Sequence, residues 1–130
     1  MTRIASFTKL EHALAPKLRE SMGLAESTAD VQKFFVYSML ELLNGVLAEH
    51  SEPFEIFYED IVLTPGQEPG YTLSARLGDH APLAAELRGS DLPAILARFA
   101  AVAGNRYQYL NKKPEKTEAK MYHGTGRAAR

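Results

Sequence analysis

The chain contains no cysteine and no tryptophan. Without a thiolate it holds no disulfide, no cysteine-ligated zinc and no iron–sulfur cluster, and it offers no cysteine nucleophile. No stretch approaches the ~20 uninterrupted apolar residues that span a bilayer. Residues Met1 to Lys9 carry no apolar run of the secretory type, so the reading expects a cytoplasmic protein with no membrane partner. The nine glycines form neither a dinucleotide-binding fingerprint nor a phosphate loop, and no Gly-x-Ser-x-Gly elbow is present. These absences favour a non-enzyme, and no cofactor is expected.

What is present fits one ordinary α+β domain. The chain has 130 residues, 45% of them apolar and 24% charged, with a net charge of −1. That small net charge conceals an asymmetry. Residues 111–130 carry six basic and two acidic side chains, a balance of +4 against −5 for residues 1–110. The division expected is therefore a folded domain over 1–110 and a flexible basic tail over 111–130. The alanine- and arginine-containing composition suggests a bacterial source.

Hydrophobic spacing predicts a helix from Phe7 to Met22, through Leu10, Leu14 and Leu18, with a defect at Pro16 and a stop at Gly23. Ser27-Thr28-Ala29-Asp30 reads as a capping box that opens a second helix, from about Thr28 to about Glu49. Its apolar residues cover an unusually wide arc. Phe34, Val36, Leu40, Leu43 and Leu47 are taken as a partner-binding face, because few other elements remain to cover it. Self-association, most simply as a symmetric dimer, is the expectation that follows.

Beyond Glu52 the period changes to two. A strand is expected over Phe54–Leu63, bulged at Glu59-Asp60, and a second over Tyr71–Leu77 after the Thr64–Gly70 loop. Leu83, Ala85 and Leu87 predict a third, completing an antiparallel meander. The face of Tyr71, Leu73, Ala75 and Leu77 should meet the second and last helices. The last helix opens at Gly89–Pro93. Gly104 either caps it or is passed through, and residues 105–110 read as helix or as strand. This order resembles that of small bacterial adaptor and secretion-chaperone domains at the level of fold alone, with no motif that carries it; the adaptor expectation rests on the absent catalytic motifs and the wide apolar arc of the second helix.

Three constellations bear on chemistry. His50 and His80 should fall at one sheet edge with Glu49, Glu52 and Asp79, where a divalent ion would find ligands; their spacing fixes no pair on one helix, and no metal site is assigned. The acidic run Glu49, Glu52, Glu55, Glu59, Asp60 and Glu68 reads as a solvated face, or as a surface for a basic partner or for this chain's own tail. Arg106, Tyr109, Lys112, Lys113, Lys120, Tyr122 and Arg127 interleave cations with rings, a pattern suited to phosphates and unstacked bases. The leading expectation is a non-enzymatic protein-interaction or adaptor module, dimeric. A nucleic-acid-associated protein and a small metal-dependent enzyme are the alternatives.

Overall fold

The computed structural model describes residues 7–48 and 54–112. Among them the chain is mostly helical, with one small antiparallel sheet. Helices α1 (Thr8–Leu24), α2 (Thr28–Leu47) and α5 (Leu92–Lys112) are the long elements. Between α2 and α5 lie strands β1 (Ile61–Leu63) and β2 (Tyr71–Leu73), then the short helices α3 (Ala75–Gly78) and α4 (Ala81–Gly89).

Local chemistry starts α2. The Ser27 hydroxyl accepts the Asp30 N–H at 3.1 Å, satisfying one of the orphan donors of the first turn. The Asp30 carboxylate reaches back to the Glu26 N–H, also at 3.1 Å. Gly45 does not end the helix, which runs on to Leu47. A Cβ there would stand 2.8 Å from Leu10 Cδ2, so the glycine lets α1 come close to α2 at this point.

The three long helices pack on one another. The Asp91 carboxylate accepts the Phe7 N–H at 3.0 Å, Arg98 grips Glu11 through two nitrogens at 2.6 and 3.0 Å, and Arg106 Nη2 donates to the Ala25 carbonyl at 2.8 Å. The numbers rise together on both elements, so α1 and α5 are parallel and α2 returns between them. Phe35, Met39 and Leu42 of α2, Leu18 of α1 and Phe99 of α5 are fully buried in the shared core. The wide arc of α2 is covered within the chain, by α1, α5, β1 and α4. That removes the reason for expecting a second copy over it.

The sheet departs from the expected meander. It has two strands, with Ile61 opposite Leu73 and Leu63 opposite Tyr71. The segment expected as a third strand, Leu83 to Arg88, is helix α4. Alanine fits either period, so Leu83, Ala85 and Leu87 alternate in sequence; in the helix Leu83 is buried and Leu87, four positions on, is partly buried against the same core, while Ala85 is exposed. Pro82 in the first turn lacks only an N–H that the helix would leave unpaired.

The second strand stops at Leu73 because the Ser74 hydroxyl accepts the Leu77 N–H at 3.1 Å and opens α3. Ala75 and Leu77 therefore leave the sheet; Leu77 is buried and Ala75 exposed. Where a ten-residue first strand was expected, a 3-10 turn over Tyr58–Asp60 precedes a strand of three. The architecture is thus helix–helix–strand–strand–helix–helix–helix, which withdraws the likeness to adaptor domains based on a three-stranded order. Gly104 lies inside α5, and residues 105–110 are helical. The tail from Lys113 onward lies outside the described residues.

The hairpin loop is dictated by its residues. Pro65 and Gly66 occupy the centre of a turn closed by Gln67 N–H to the Thr64 carbonyl at 3.2 Å, with Gly66 at φ +82°, the type II arrangement. Gly70 has φ +101°, and a Cβ there would sit 3.0 Å from Ala100 Cβ on α5. Gly70→Ala is expected to cost about 1–3 kcal/mol, since strain and crowding act together. Urea unfolding measures this; an unchanged midpoint would contradict the described backbone.

Candidate functional site

The segment between α2 and β1 gathers charge and aromatic rings around one buried carboxylate. Asp60 is the only buried charged residue among those described. Its Oδ2 accepts the Phe57 N–H at 2.7 Å and the guanidinium of Arg76, and its Oδ1 accepts the Ser74 hydroxyl at 2.6 Å. Its backbone carbonyl accepts the Ser74 N–H at 2.8 Å, just beyond the strand ladder. Burial pushes the Asp60 carboxyl up, but hydrogen bonds from Arg76, Ser74 and the Phe57 N–H, with the charge of Arg76, outweigh it and hold the group below the ordinary aspartate value. A carboxylate kept ionised in this way is a poor proton acceptor. Ser74, whose hydroxyl points at it, is a helix cap and gains no activated nucleophile from the contact.

Arg76 is held from several sides. It donates to the Glu55 carbonyl at 2.7 Å as well as to Asp60. Its guanidinium carbon lies 4.7 Å from the Phe54 ring centre and 4.6 Å from that of Phe57, a double cation–π contact. His80, at the start of α4, stacks on Phe54 with ring centres 3.7 Å apart, and its Nε2 is buried without a hydrogen-bond partner. Beside this cluster the Tyr58 ring meets Tyr37 of α2 edge to face at 5.8 Å.

The outer side of this region is unusually apolar for a surface. Tyr37 is 53% exposed, Phe57 46%, Tyr58 37% and Val62 43%. Glu55 and Glu59, which flank Phe57 and Tyr58 in sequence, are exposed, and neither carboxylate forms an ion pair among the described residues. Elsewhere carboxylates hold cations of their own: Glu11 holds Arg98 and Glu41 holds Lys17 at 3.4 Å.

The residues singled out in the sequence are distributed differently. Val36 and Leu43 are fully buried and Leu47 nearly so, while Phe34 and Leu40 are half-buried against the same core. The first three therefore present no surface in the folded chain. Arg106 is committed to the Ala25 carbonyl and lies over the exposed Tyr109 ring at 5.2 Å. Lys112 is exposed at the end of α5. Lys113, Lys120, Tyr122 and Arg127 lie outside the described residues, as do His50, Glu49 and Glu52. Among the described residues no three histidine, aspartate or glutamate side chains are grouped to hold a metal ion.

Sequence reasoning missed Tyr37, Phe57, Tyr58 and Arg76 as a group. Phe57 and Tyr58 fall within the expected first strand, and Tyr37 lies outside the apolar face expected of the second helix. The usable signal was the failure of alternation at Glu59-Asp60, which marks a turn where rings are left outside the sheet.

The chain is thus α+β in class, mostly helical with a two-stranded antiparallel sheet. No helix among the described residues is long and apolar enough to cross a membrane. In comparison with known proteins it matches no family model, no curated protein and no solved structure.

Proposed function

We propose that this protein is a non-enzymatic protein-interaction module whose contact surface is built on the exposed rings of Tyr37, Phe57 and Tyr58. The observation that carries the reading is that three exposed rings fall together, Tyr58 edge to face with Tyr37 and next in sequence to Phe57, whereas Leu24 and Tyr109, the other strongly exposed large apolar residues besides Val62, lie on α1 and α5. Tyrosine and phenylalanine are enriched at interface cores, and grouped exposed aromatics mark sites of contact rather than ordinary surface. The Asp60 network supports the surface from below: it fixes Phe57 through its N–H and Arg76 through charge, so the rings are presented in a set geometry. A preformed surface loses less ordering entropy on binding. A cytoplasmic location belongs to the same proposal, although a chain without cysteine carries no disulfide evidence for any compartment. A second copy is one admissible partner, through this surface rather than through the buried arc of α2.

The test is site-specific photo-crosslinking in cells. A benzophenone amino acid in place of Phe57 should give a discrete adduct; the same group at Leu24, 70% exposed on α1, should not. Tyr37→Ala with Tyr58→Ala should abolish the adduct while leaving the far-ultraviolet circular dichroism unchanged. Equal adducts from both positions, or none from position 57, would count against the reading.

A further inference from the structure

We infer that the aromatic surface is a receptor for a lysine- and arginine-bearing segment, and that its occupant in the isolated protein is this chain's own C-terminal segment, residues 113–130. This rests on the interaction reading above and names the chemistry that the surface accepts.

The fold already displays the binding mode. Arg76 lies over Phe57, donates to a carbonyl and pairs with a carboxylate, all within this segment. Immediately outside it, Tyr58 and Tyr37 offer further exposed rings, with the exposed Glu59 next in sequence to Tyr58 and the exposed Glu55 three positions before it. Those are the ingredients for a second cation: a ring face for attraction and carboxylates for charge pairing. Glu11, Glu41 and Asp60 each hold a cation, whereas Glu55 and Glu59 form no ion pair among the described residues and flank exposed rings in sequence.

The segment 113–130 is complementary. It carries five basic and two acidic residues, a balance of +3. Its length suffices. Arg106 meets Ala25 near the start of α2, so at about 1.5 Å per residue Tyr37 lies roughly 18 Å back along α2 and Lys112 roughly 9 Å beyond Arg106. Eighteen residues reach about 60 Å when extended, roughly twice that separation. Attachment also raises the local concentration of the segment to the millimolar range, so even weak pairing is occupied. A segment held there competes with any partner for the same rings, and the protein carries its own inhibitor.

The absence of native cysteine makes the test clean. Full-length Thr125→Cys takes a single nitroxide label, and amide signals are compared with the label oxidised and reduced. Signals of residues 37, 55, 58 and 59 are expected to fall by about half or more, as millimolar effective concentration implies for weak pairing. The loss should vanish in 1 M salt, where the screening length is about 3 Å. It should also vanish when Lys113, Lys116 and Lys120 are changed to glutamate. No loss, loss elsewhere, or loss that survives salt would overturn the inference. So would the same loss in a mixture in which labelled and observed molecules are different chains, since the occupant would then be a second copy's segment. If the label has no effect while the position-57 adduct still forms, the tail assignment alone fails; if both are absent, the interaction reading fails with it.

Discussion

Replacing Asp60 by alanine is expected to destabilise the protein by about 3 kcal/mol, the scale for removing a buried charged acceptor from several donors. Three groups lose their partner: the Phe57 N–H, the Ser74 hydroxyl and the Arg76 guanidinium. The effect stays below the upper end for buried pairs because Arg76 is 42% exposed and regains water. For a domain near this size the midpoint of thermal unfolding should fall by on the order of 10–15 °C. Urea unfolding should show a lower midpoint at unchanged slope. A loss well under 1 kcal/mol would mean that Asp60 does not organise the segment. The variant should also weaken crosslinking from position 57, because Phe57 and Arg76 are released together.

The same carboxylate predicts a pH dependence. Its native pKa lies below the unfolded value, so the unfolded chain binds its proton first as pH falls. The stabilisation is complete above the unfolded aspartate value of about 3.9 and disappears as pH drops through the native value. Glu11 behaves alike: the hydrogen bond from Arg98 lowers it, against burial. Asp60→Asn should therefore flatten, without abolishing, the fall in stability below about pH 4. Adding Glu11→Gln should flatten it further. An acid profile identical to that of the parent would refute the assignment.

The other large effect lies in the core. Phe35→Ala is expected to cost about 3–5 kcal/mol, since the ring is fully buried and its removal leaves a cavity as well as losing transfer energy. Phe34→Ala, one position earlier, should cost about 1–2 kcal/mol, because that ring is half-buried, with Lys33 Nζ 5.9 Å from its centre. The contrast is a direct test of how α2 is rotated about its axis. Equal costs in guanidinium unfolding would place α2 in a different orientation from the one described.

How much of this was legible in the sequence depends on the range of the interaction. Ser27 and Asp30 announce the start of α2 because a cap is made within four residues. Pro65-Gly66 announces its turn for the same reason. The run Leu83 to Arg88 forms helix rather than the expected strand because alanine fits a period of two or of 3.6, and only the packing of Leu83 and Leu87 on one face selects the helix. Of the partner face expected on α2, Val36, Leu43 and Leu47 are buried within the chain, while Phe34 and Leu40 stay partly exposed. Periodicity shows that an arc is apolar and says nothing about how many neighbours cover it.

The candidate site shows the division most clearly. Composition alone excluded thiolate chemistry, and the local sequence set the capped helix, the proline–glycine turn and the change of period near Phe54. It also set the acidic body and basic tail, since charge is a property of the residues and not of their arrangement. Tertiary structure decided that Asp60, Ser74 and Arg76, spread over seventeen positions, meet at one carboxylate. It also decided that Tyr37 on α2 stands against Tyr58 twenty-one positions later. A carboxylate of this kind is stable in the interior only when distant donors converge on it, and a ring stays at the surface only when the core beneath it is already full.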